Sequence, residues 1–412
     1  MAKEPIVIVG GGRAAASLID AYREAGGDGL ITVLSAEGQP PYNRPPLSKG
    51  VLRGEMEPLG ALVRPLEEYE DMVVEIRLET TVEGVDTDEH TVQLAGGEAL
   101  TYGTLVIASG TRPRTLPVPG SDLPAVHTYR TLADAMAMRE EAPVARKVLV
   151  VGGSFIGSEV AASLRMLGLD VTIVELGDLL VPALASATLS EQVADLYREH
   201  GVELLLGEQI EEFRSNGQML TGARTASGRD IEAFLVVVGV GVEPNVDFLA
   251  QSGLELDDGV VVDDHFRTSA ADVYAIGDVA RFNDVVAGRP RRIEHWSNAD
   301  SQGAALGRNL AGGRTGFAEV SVFFTKLFDL QLQVLGDPDG GVDEVVIRGS
   351  IPDRSVLGFY LRDERLVGAV AVGQGADMIE ELKSLLRDQP KVSDRSKLAT
   401  ENIRPAAVFA GS

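Results

Sequence analysis

Two stretches decide the fold: PIVIVGGGRAA at residues 5–15 and KVLVVGGSFIG at residues 147–157. In each, a short run of β-branched residues leads into a glycine turn and then into a helical pattern, over about 13–26 and 155–168. A second strand follows each helix, at 30–34 and at 170–175. This is the opening βαβ unit of a Rossmann fold, and it occurs twice. The sequence therefore predicts an α/β fold with two Rossmann-like dinucleotide-binding domains.

The rest of the chain has a different pattern. Residues 80–102 and 203–238 alternate apolar and polar side chains around glycine turns, which predicts small antiparallel hairpins. After residue 319 the pattern predicts strands at 330–335, 343–349, 355–361 and 366–372, a helix at 376–387 and a charged tail. These elements predict a small C-terminal α+β domain.

Composition excludes several classes of function. The 412 residues carry 37 Lys+Arg and 62 Asp+Glu, a net charge of −25, which disfavours binding to nucleic acid or anionic lipid. No apolar run is long enough to span a membrane, and no signal peptide is evident, so we expect a cytoplasmic protein. The chain has no cysteine, which excludes a redox disulfide, a Cys-ligated iron–sulfur cluster and a thiol nucleophile. The five histidines show no ligand spacing, so no metal site is predicted.

The first glycine turn has the form that brings backbone N–H groups to a pyrophosphate at a helix N-terminus. Its candidate binding residues are Gly10, Gly12, Ala14 and Ala15. The acid that would bind a ribose is Glu37, one residue later than is usual.

The second turn has serine at its middle glycine position. Its candidate residues are Gly152, Ser154, Phe155, Ile156 and Gly157. Glu175 closes the following strand, where a carboxylate accepts hydrogen bonds from a ribose 2′-hydroxyl and repels a 2′-phosphate. We therefore expect NADH to be preferred over NADPH.

Several further segments carry a family resemblance. PYNRPPLSK at 41–49 resembles the PYxRPPLSK signature of the FAD-dependent, NADH-dependent ferredoxin and rubredoxin reductases, to which apoptosis-inducing factor is related. IASGTRPR at 107–114, VYAIGDV at 273–279 and RIEHWSNA at 292–299 are similar to other segments of that family, in the same order. The resemblance covers residues 5 to about 385.

The resemblance implies a bound FAD, NADH as co-substrate and a set of site residues. Beyond the first glycine turn, the implied FAD residues are Arg44, Lys49, Val82, Ala108, Arg112, Asp278, Glu294, His295 and Trp296. Beyond the second turn, the implied NADH residues are Glu159, Gly239 and Glu294. Lys49 and Glu159 are the implied catalytic pair, because a cation beside flavin N5 would stabilise the reduced flavin and the carboxylate would hold that cation.

The resemblance also implies the domain order. An FAD domain would comprise 1–112 and 243–318, an NADH domain 113–242, and the C-terminal domain 319–412. Hydride would pass from NADH to FAD, and single electrons would then pass to a ferredoxin or rubredoxin that serves an oxygenase. An NADH oxidase or quinone reductase without a protein partner and a redox sensor similar to apoptosis-inducing factor are the alternatives, and homodimer formation is left open.

Two features bear on the electron acceptor. The family pattern FWSDQ(Y/F)DLxLQ is changed here to FFTKLFDLQLQ at 323–333, with Phe324, Lys326 and Leu327 at altered positions. Residues 281–292 carry four arginines against one aspartate, which indicates either a local positive segment that could attract a small acidic iron–sulfur protein or a solvated surface loop.

Overall fold

A computed structural model of the chain describes residues 5–217, 219–392, 394–400 and 403–409. The strands are β1 Ile6–Val9, β2 Ile31–Leu34, β3 Val74–Arg77, β4 Val82–Asp86, β5 Thr91–Leu94, β6 Ala99–Thr101, β7 Thr104–Ile107, β8 Thr111–Pro113, β9 Val126–Thr128, β10 Lys147–Val151, β11 Asp170–Glu175, β12 Glu203–Leu206, β13 Ile210–Ser215, β14 Leu220–Thr225, β15 Asp230–Glu232, β16 Leu235–Val238, β17 Val242–Pro244, β18 Val260–Val261, β19 Val273–Ala275, β20 Ala280–Asp284, β21 Arg289–Arg292, β22 Val322–Leu327, β23 Leu330–Gly336, β24 Glu344–Ser350, β25 Ser355–Arg362 and β26 Arg365–Val372.

The helices separate these strands. They are α1 Arg13–Glu24, α2 Leu66–Asp71, α3 Leu132–Ala145, α4 Phe155–Met166, α5 Ala187–Glu199, α6 Trp296–Leu310, α7 Ala376–Asp388, α8 Arg395–Leu398 and α9 Pro405–Phe409. A π-helical turn at Leu47–Val51 and a 3₁₀ turn at Gly277–Val279 carry predicted site residues.

The first of two compact units comprises residues 5–43, 59–112 and 243–321. Its main sheet has five parallel strands in the order β19-β7-β1-β2-β3. All four residues of β1 are buried, as expected for a central strand covered on both faces. Because β1 lies between β7 and β2, the strand order reverses at the end of β1, where the first glycine turn begins.

The second unit comprises residues 44–58, 113–242 and the described residues from 322 onward. Its parallel sheet, in the order β12-β11-β10-β16-β9, has the same arrangement in the four strands β12-β11-β10-β16 but takes its edge strand β9 from before the central strand, and the second glycine turn follows the central strand β10. The C-terminal part of the unit is an antiparallel sheet in the order β22-β23-β26-β25-β24 with helices α7 to α9. The two parallel sheets and the antiparallel C-terminal sheet confirm the predicted fold class.

The local predictions differ from the structure in a few places. The segment 80–102 forms three antiparallel strands, β4-β5-β6, rather than one hairpin. Strand β22 precedes the first strand predicted for the C-terminal domain. It was not predicted, because its sequence VFFTKL lacks a clear alternation of apolar and polar residues. The charged tail contains the two short helices α8 and α9.

Candidate functional site

The first glycine turn forms a cradle of backbone N–H groups. Gly10 has φ +112°, and a Cβ at that position would lie 2.2 Å from the carbonyl oxygen of Ala108, so only glycine fits. Gly12 is the N-cap of α1 and provides no side chain to its free N–H groups, and a Cβ there would meet nothing within 4 Å. The helix therefore begins at open space with its first N–H groups available, which is the geometry that binds a pyrophosphate.

Three further predicted residues lie in loops that follow strands of the first unit. Glu37 follows β2, and its carboxylate accepts a hydrogen bond from the Tyr42 hydroxyl. Ala108 follows β7 and is buried. Asp278 lies in the 3₁₀ turn after β19, where the N–H of Gly277 donates to the side chain of the fully buried Gln302 at 2.7 Å. Gln302 was not predicted, since nothing local in the sequence links it to a loop so far along the chain.

Trp296 is held by residues that the sequence analysis did not predict. The Trp296 indole Nε1 donates to Asn43 Oδ1 at 3.0 Å, and the Arg13 guanidinium lies 4.9 Å from the ring centroid. Arg13 is fixed in turn by Asp300, with Nη2 2.6 Å from Oδ1. Arg13 lies inside the first glycine motif, and this position in the sequence could have indicated that its side chain lies near the site.

Glu294 and His295, two further predicted FAD residues, also have defined surroundings. Arg292 lies 2.5 Å from Glu294. Burial lowers the pKa of the His295 imidazole to about 4, so this side chain is neutral at physiological pH.

The remaining predicted FAD residues are more dispersed. Arg112 forms ion pairs with Glu243 at 2.7 Å and with Asp247 at 2.6 Å. Val82 is the partly buried first residue of β4. Arg44 and Lys49 belong to the second unit, where Arg44 Nη1 donates to the Arg130 carbonyl at 2.7 Å.

The second glycine turn has the same construction. A Cβ on Gly157 would lie 2.0 Å from the carbonyl oxygen of Gly152, so α4 packs directly on the turn. Ser154 is the N-cap of α4, but its hydroxyl donates to the Gly239 carbonyl at 3.1 Å and does not cap the helix. The serine that replaces the middle glycine therefore leaves the helix N–H groups available. Ile156, in the first turn of α4, is 44% exposed.

Glu175 ends β11 and lies beside this turn. Its Oε2 accepts from the Gly153 N–H at 2.5 Å and its Oε1 from the Gly177 N–H at 2.8 Å. Both carboxylate oxygens are thereby fixed in place, and each keeps a lone pair for a ribose hydroxyl.

Lys49 and Glu159 form a buried ion pair within the second unit. Lys49 Nζ lies 2.6 Å from Glu159 Oε1, and the exposed fractions of the two side chains are 17% and 4%. Burial is the largest effect on Lys49 and lowers the pKa of its ammonium group below the ordinary lysine value, while Glu159 acts in the opposite direction. The structure thus brings together the two residues that the sequence predicts as a catalytic pair.

The arginine segment 281–292 is not the positive patch that its sequence predicts. Arg281 pairs with Asp257 at 2.7 Å, Arg291 with Asp284 at 2.7 Å, and Arg292 with both Glu294 and Asp258. Two of these acids come from the loop 257–258, so the local charge is largely neutralised by residues that the segment itself does not contain.

Both turns fit the dinucleotides that the sequence predicts, since each combines a close-packed glycine turn with an uncapped helix N-terminus. Within the described ranges, one group of three potential metal ligands has its ligand atoms within 4.8 Å of one another, formed by the consecutive residues Asp263, Asp264 and His265. No helix in the described ranges is both long enough and apolar enough to cross a membrane.

Comparisons with known proteins agree with this geometry. Residues 4–303 match the pyridine nucleotide-disulphide oxidoreductase family, and residues 322–404 match a reductase C-terminal family. Rhodocoxin reductase from Rhodococcus erythropolis is 34% identical over 391 residues, which cover 95% of this chain and 91% of the relative. The ferredoxin–NAD(+) reductase subunit of the benzene 1,2-dioxygenase system from Pseudomonas putida is 34% identical, with coverages of 97% and 96%.

Solved structures of ferredoxin and putidaredoxin reductases are also similar to this chain over nearly its whole length. A ferredoxin reductase for the CYP199A2 system from Rhodopseudomonas palustris has a TM-score of 0.90 at 33% identity and covers 96% of this chain and 100% of its own. Putidaredoxin reductase in its covalent complex with putidaredoxin has a TM-score of 0.94 at 28% identity, with 100% of both chains covered. These similarities confirm the resemblance predicted from the sequence.

Proposed function

Because the chain belongs to the pyridine nucleotide-disulphide oxidoreductase family, we propose that it passes a hydride from NADH to bound FAD and then single electrons to a ferredoxin. The predicted enzyme class, the flavin and the nucleotide donor are confirmed by relatives that span nearly the whole chain. The observation that carries the proposal is the presence of two uncapped glycine turns in a chain without cysteine. Such a chain holds two dinucleotides but has no dithiol for electrons to enter.

The flavin supplies the redox chemistry, since it accepts a hydride and releases electrons one at a time. The protein's part is to bind, orient and tune. In the first unit, the N–H groups after Gly10 and Gly12 hold the FAD pyrophosphate, Glu37 binds the adenosine ribose and Val82 contacts the adenine. Asp278 accepts from the ribitol hydroxyls, while Ala108, Arg112, Glu294, His295 and Trp296 complete the FAD set with Arg44 and Lys49.

In the second unit, residues 152–157 bind the NADH pyrophosphate, and Gly239 lines the turn. Glu175 binds the adenosine ribose of NADH, because its fixed carboxylate accepts from a 2′-hydroxyl and repels a 2′-phosphate. Lys49 stabilises the negative charge that develops on the reduced flavin, and Glu159 holds Lys49.

The finer assignments belong to the same proposal. We propose an FAD domain of 1–112 and 243–318, an NADH domain of 113–242 and a C-terminal domain of 319–412, and a cytoplasmic location, where NADH is available. A rubredoxin is the alternative carrier, and a homodimer is the alternative to a monomer.

Steady-state reduction of cytochrome c by NADH tests the function, measured with a [2Fe–2S] ferredoxin, with a rubredoxin and with neither. We expect a large increase that depends on the ferredoxin. Fast oxygen consumption without any carrier would instead support an NADH oxidase. Slow turnover with an oligomer size that changes on NADH addition would support a redox sensor.

A further inference from the structure

Strand β22, the first strand of the C-terminal sheet, packs against one face of α4, the helix predicted to bind NADH. The Phe323 ring lies 4.0 Å from the Phe155 ring, centroid to centroid, and the Thr325 hydroxyl lies 2.6 Å from Glu159 Oε1. Residues two apart in a strand and four apart in a helix lie on one face, and their spacings along the two elements are similar, about 6–7 Å. Strand β22 therefore contacts α4 in a fixed register.

Thr325 is one of three donors to the Glu159 carboxylate. Lys49 Nζ and Thr325 Oγ1 both lie 2.6 Å from Oε1, and Ser48 Oγ lies 2.5 Å from Oε2. Thr325 is 3% exposed, so its hydroxyl has no competing bulk water. Lys49 and Thr325 hold Oε1 from two distant parts of the chain, and Ser48 holds Oε2. Together the three donors fix the orientation of the carboxylate.

The titratable side chains that face the ion pair are Arg53, Tyr129 and Tyr197. Arg53, on the same segment as Lys49, lowers the pKa of the lysine. Tyr129 and Tyr197 face Glu159; Tyr129 donates to the Leu47 carbonyl and Tyr197 to the Ser158 carbonyl, both at 2.7 Å. Burial raises the pKa of both phenols, so they stay neutral. Among these groups Glu159 is the one that raises the pKa of Lys49, against the larger effect of burial.

We propose that Thr325 is a positioning residue for the reductive half-reaction: its hydroxyl holds the Glu159 carboxylate against the Lys49 ammonium group. The inference rests on the proposed function, because Lys49 is predicted to act at the flavin. It gives the C-terminal domain a part in hydride transfer that is separate from any contact with the electron acceptor.

The expected effect follows from the charges. With Thr325→Val the carboxylate loses one donor and is free to turn from Lys49, while the burial of the lysine is unchanged. The pKa of Lys49 then falls further, and its charge is lost at lower pH. Thr325→Ser keeps the donor and is expected to restore the wild-type behaviour.

The test combines two pH profiles of the FAD-loaded enzyme: the rate constant for anaerobic flavin reduction by NADH, and the midpoint potential of the flavin. In wild type we expect both to show an alkaline limb, and we expect Lys49→Met to abolish it. In Thr325→Val we expect this limb about one pH unit lower, and Thr325→Ser to match wild type. In a Glu159→Gln background, Thr325→Val is expected to cause no further shift, because it acts through that carboxylate.

The outcomes separate the inference from the proposed function. An unchanged limb in Thr325→Val, with the limb absent in Lys49→Met, overturns the role of Thr325 and leaves the function intact. An additional shift of the limb in the Glu159→Gln background shows a merely structural effect and also overturns it. A limb that persists in Lys49→Met contradicts the role of Lys49 itself. Thr325→Ala replaces the valine variant if that variant does not fold, and Thr221→Val, on β14 outside the Glu159 cluster, is the matched control.

Discussion

Two glutamates of the second unit show how position decides the task of a carboxylate. Glu175 is held by two backbone N–H groups at the end of a strand, whereas Glu159 is held by three side chains inside the protein. In the proposed function the first arrangement keeps the charge of Glu175 for the ribose of NADH, because backbone donors do not neutralise it. The second balances a buried cation, because the ion pair and its hydrogen bonds together offset the loss of hydration.

The charge of Glu175 is expected to set the nucleotide preference. Wild type should have a higher kcat/KM for NADH than for NADPH. Glu175→Gln removes the repulsion of a 2′-phosphate, so the ratio of the two values should fall by about tenfold, or about 1.4 kcal/mol. Equal kcat/KM values for the two nucleotides in the wild-type enzyme would refute this role for Glu175.

The sole tryptophan offers a spectroscopic test of the first unit. Arg13→Gln removes the cation next to the Trp296 ring, and Asp300→Ala releases Arg13, so both should change the intrinsic fluorescence of the holoenzyme. Each should also destabilise the fold by about 1 kcal/mol. Arg308→Gln, in the last turn of α6, is the control and should leave the emission unchanged. If the emission of Arg13→Gln matches that of the control, Arg13 does not position Trp296.

At the level of elements, the glycine turns were predictable because each lies in the sequence between a buried strand and a helix. Gly10, Gly152 and Gly157 lie where a side chain would collide with a carbonyl a few residues or one strand away. The strands and helices around them follow from buried runs and periodicity. What the sequence did not reveal are contacts that depend on tertiary structure: Gln302 on the Gly277 turn, Asp257 and Asp258 on the arginines, and Thr325 on Glu159.

The packing of α4 on its turn leads to a prediction for one glycine. Gly157→Ala places a Cβ 2.0 Å from a backbone carbonyl that cannot move without disturbing the turn. The Kd for NAD⁺ should therefore rise by at least about tenfold, measured by calorimetry, while the FAD content stays at the wild-type level. Gly375→Ala, where a Cβ would meet nothing within 4 Å, is the control. Unchanged NAD⁺ binding in Gly157→Ala would mean that the second turn does not bind the nucleotide.

For the whole molecule, each unit is built around one parallel sheet whose strand order reverses at a glycine turn. The duplicated motif in the sequence therefore predicted the fold class directly. The electron acceptor was harder to predict from the sequence. The arginine segment 281–292, which pointed to a docking surface, is largely neutralised by ion pairs.

The account depends most directly on a flavin that NADH reduces. Its decisive measurement is the visible absorption spectrum of the purified protein, recorded after incubation with excess FAD and removal of the unbound flavin, and again after anaerobic addition of NADH. We predict one FAD per chain, bleached by a single equivalent of NADH. A colourless protein, or a bound flavin that NADH leaves oxidised, would contradict the account.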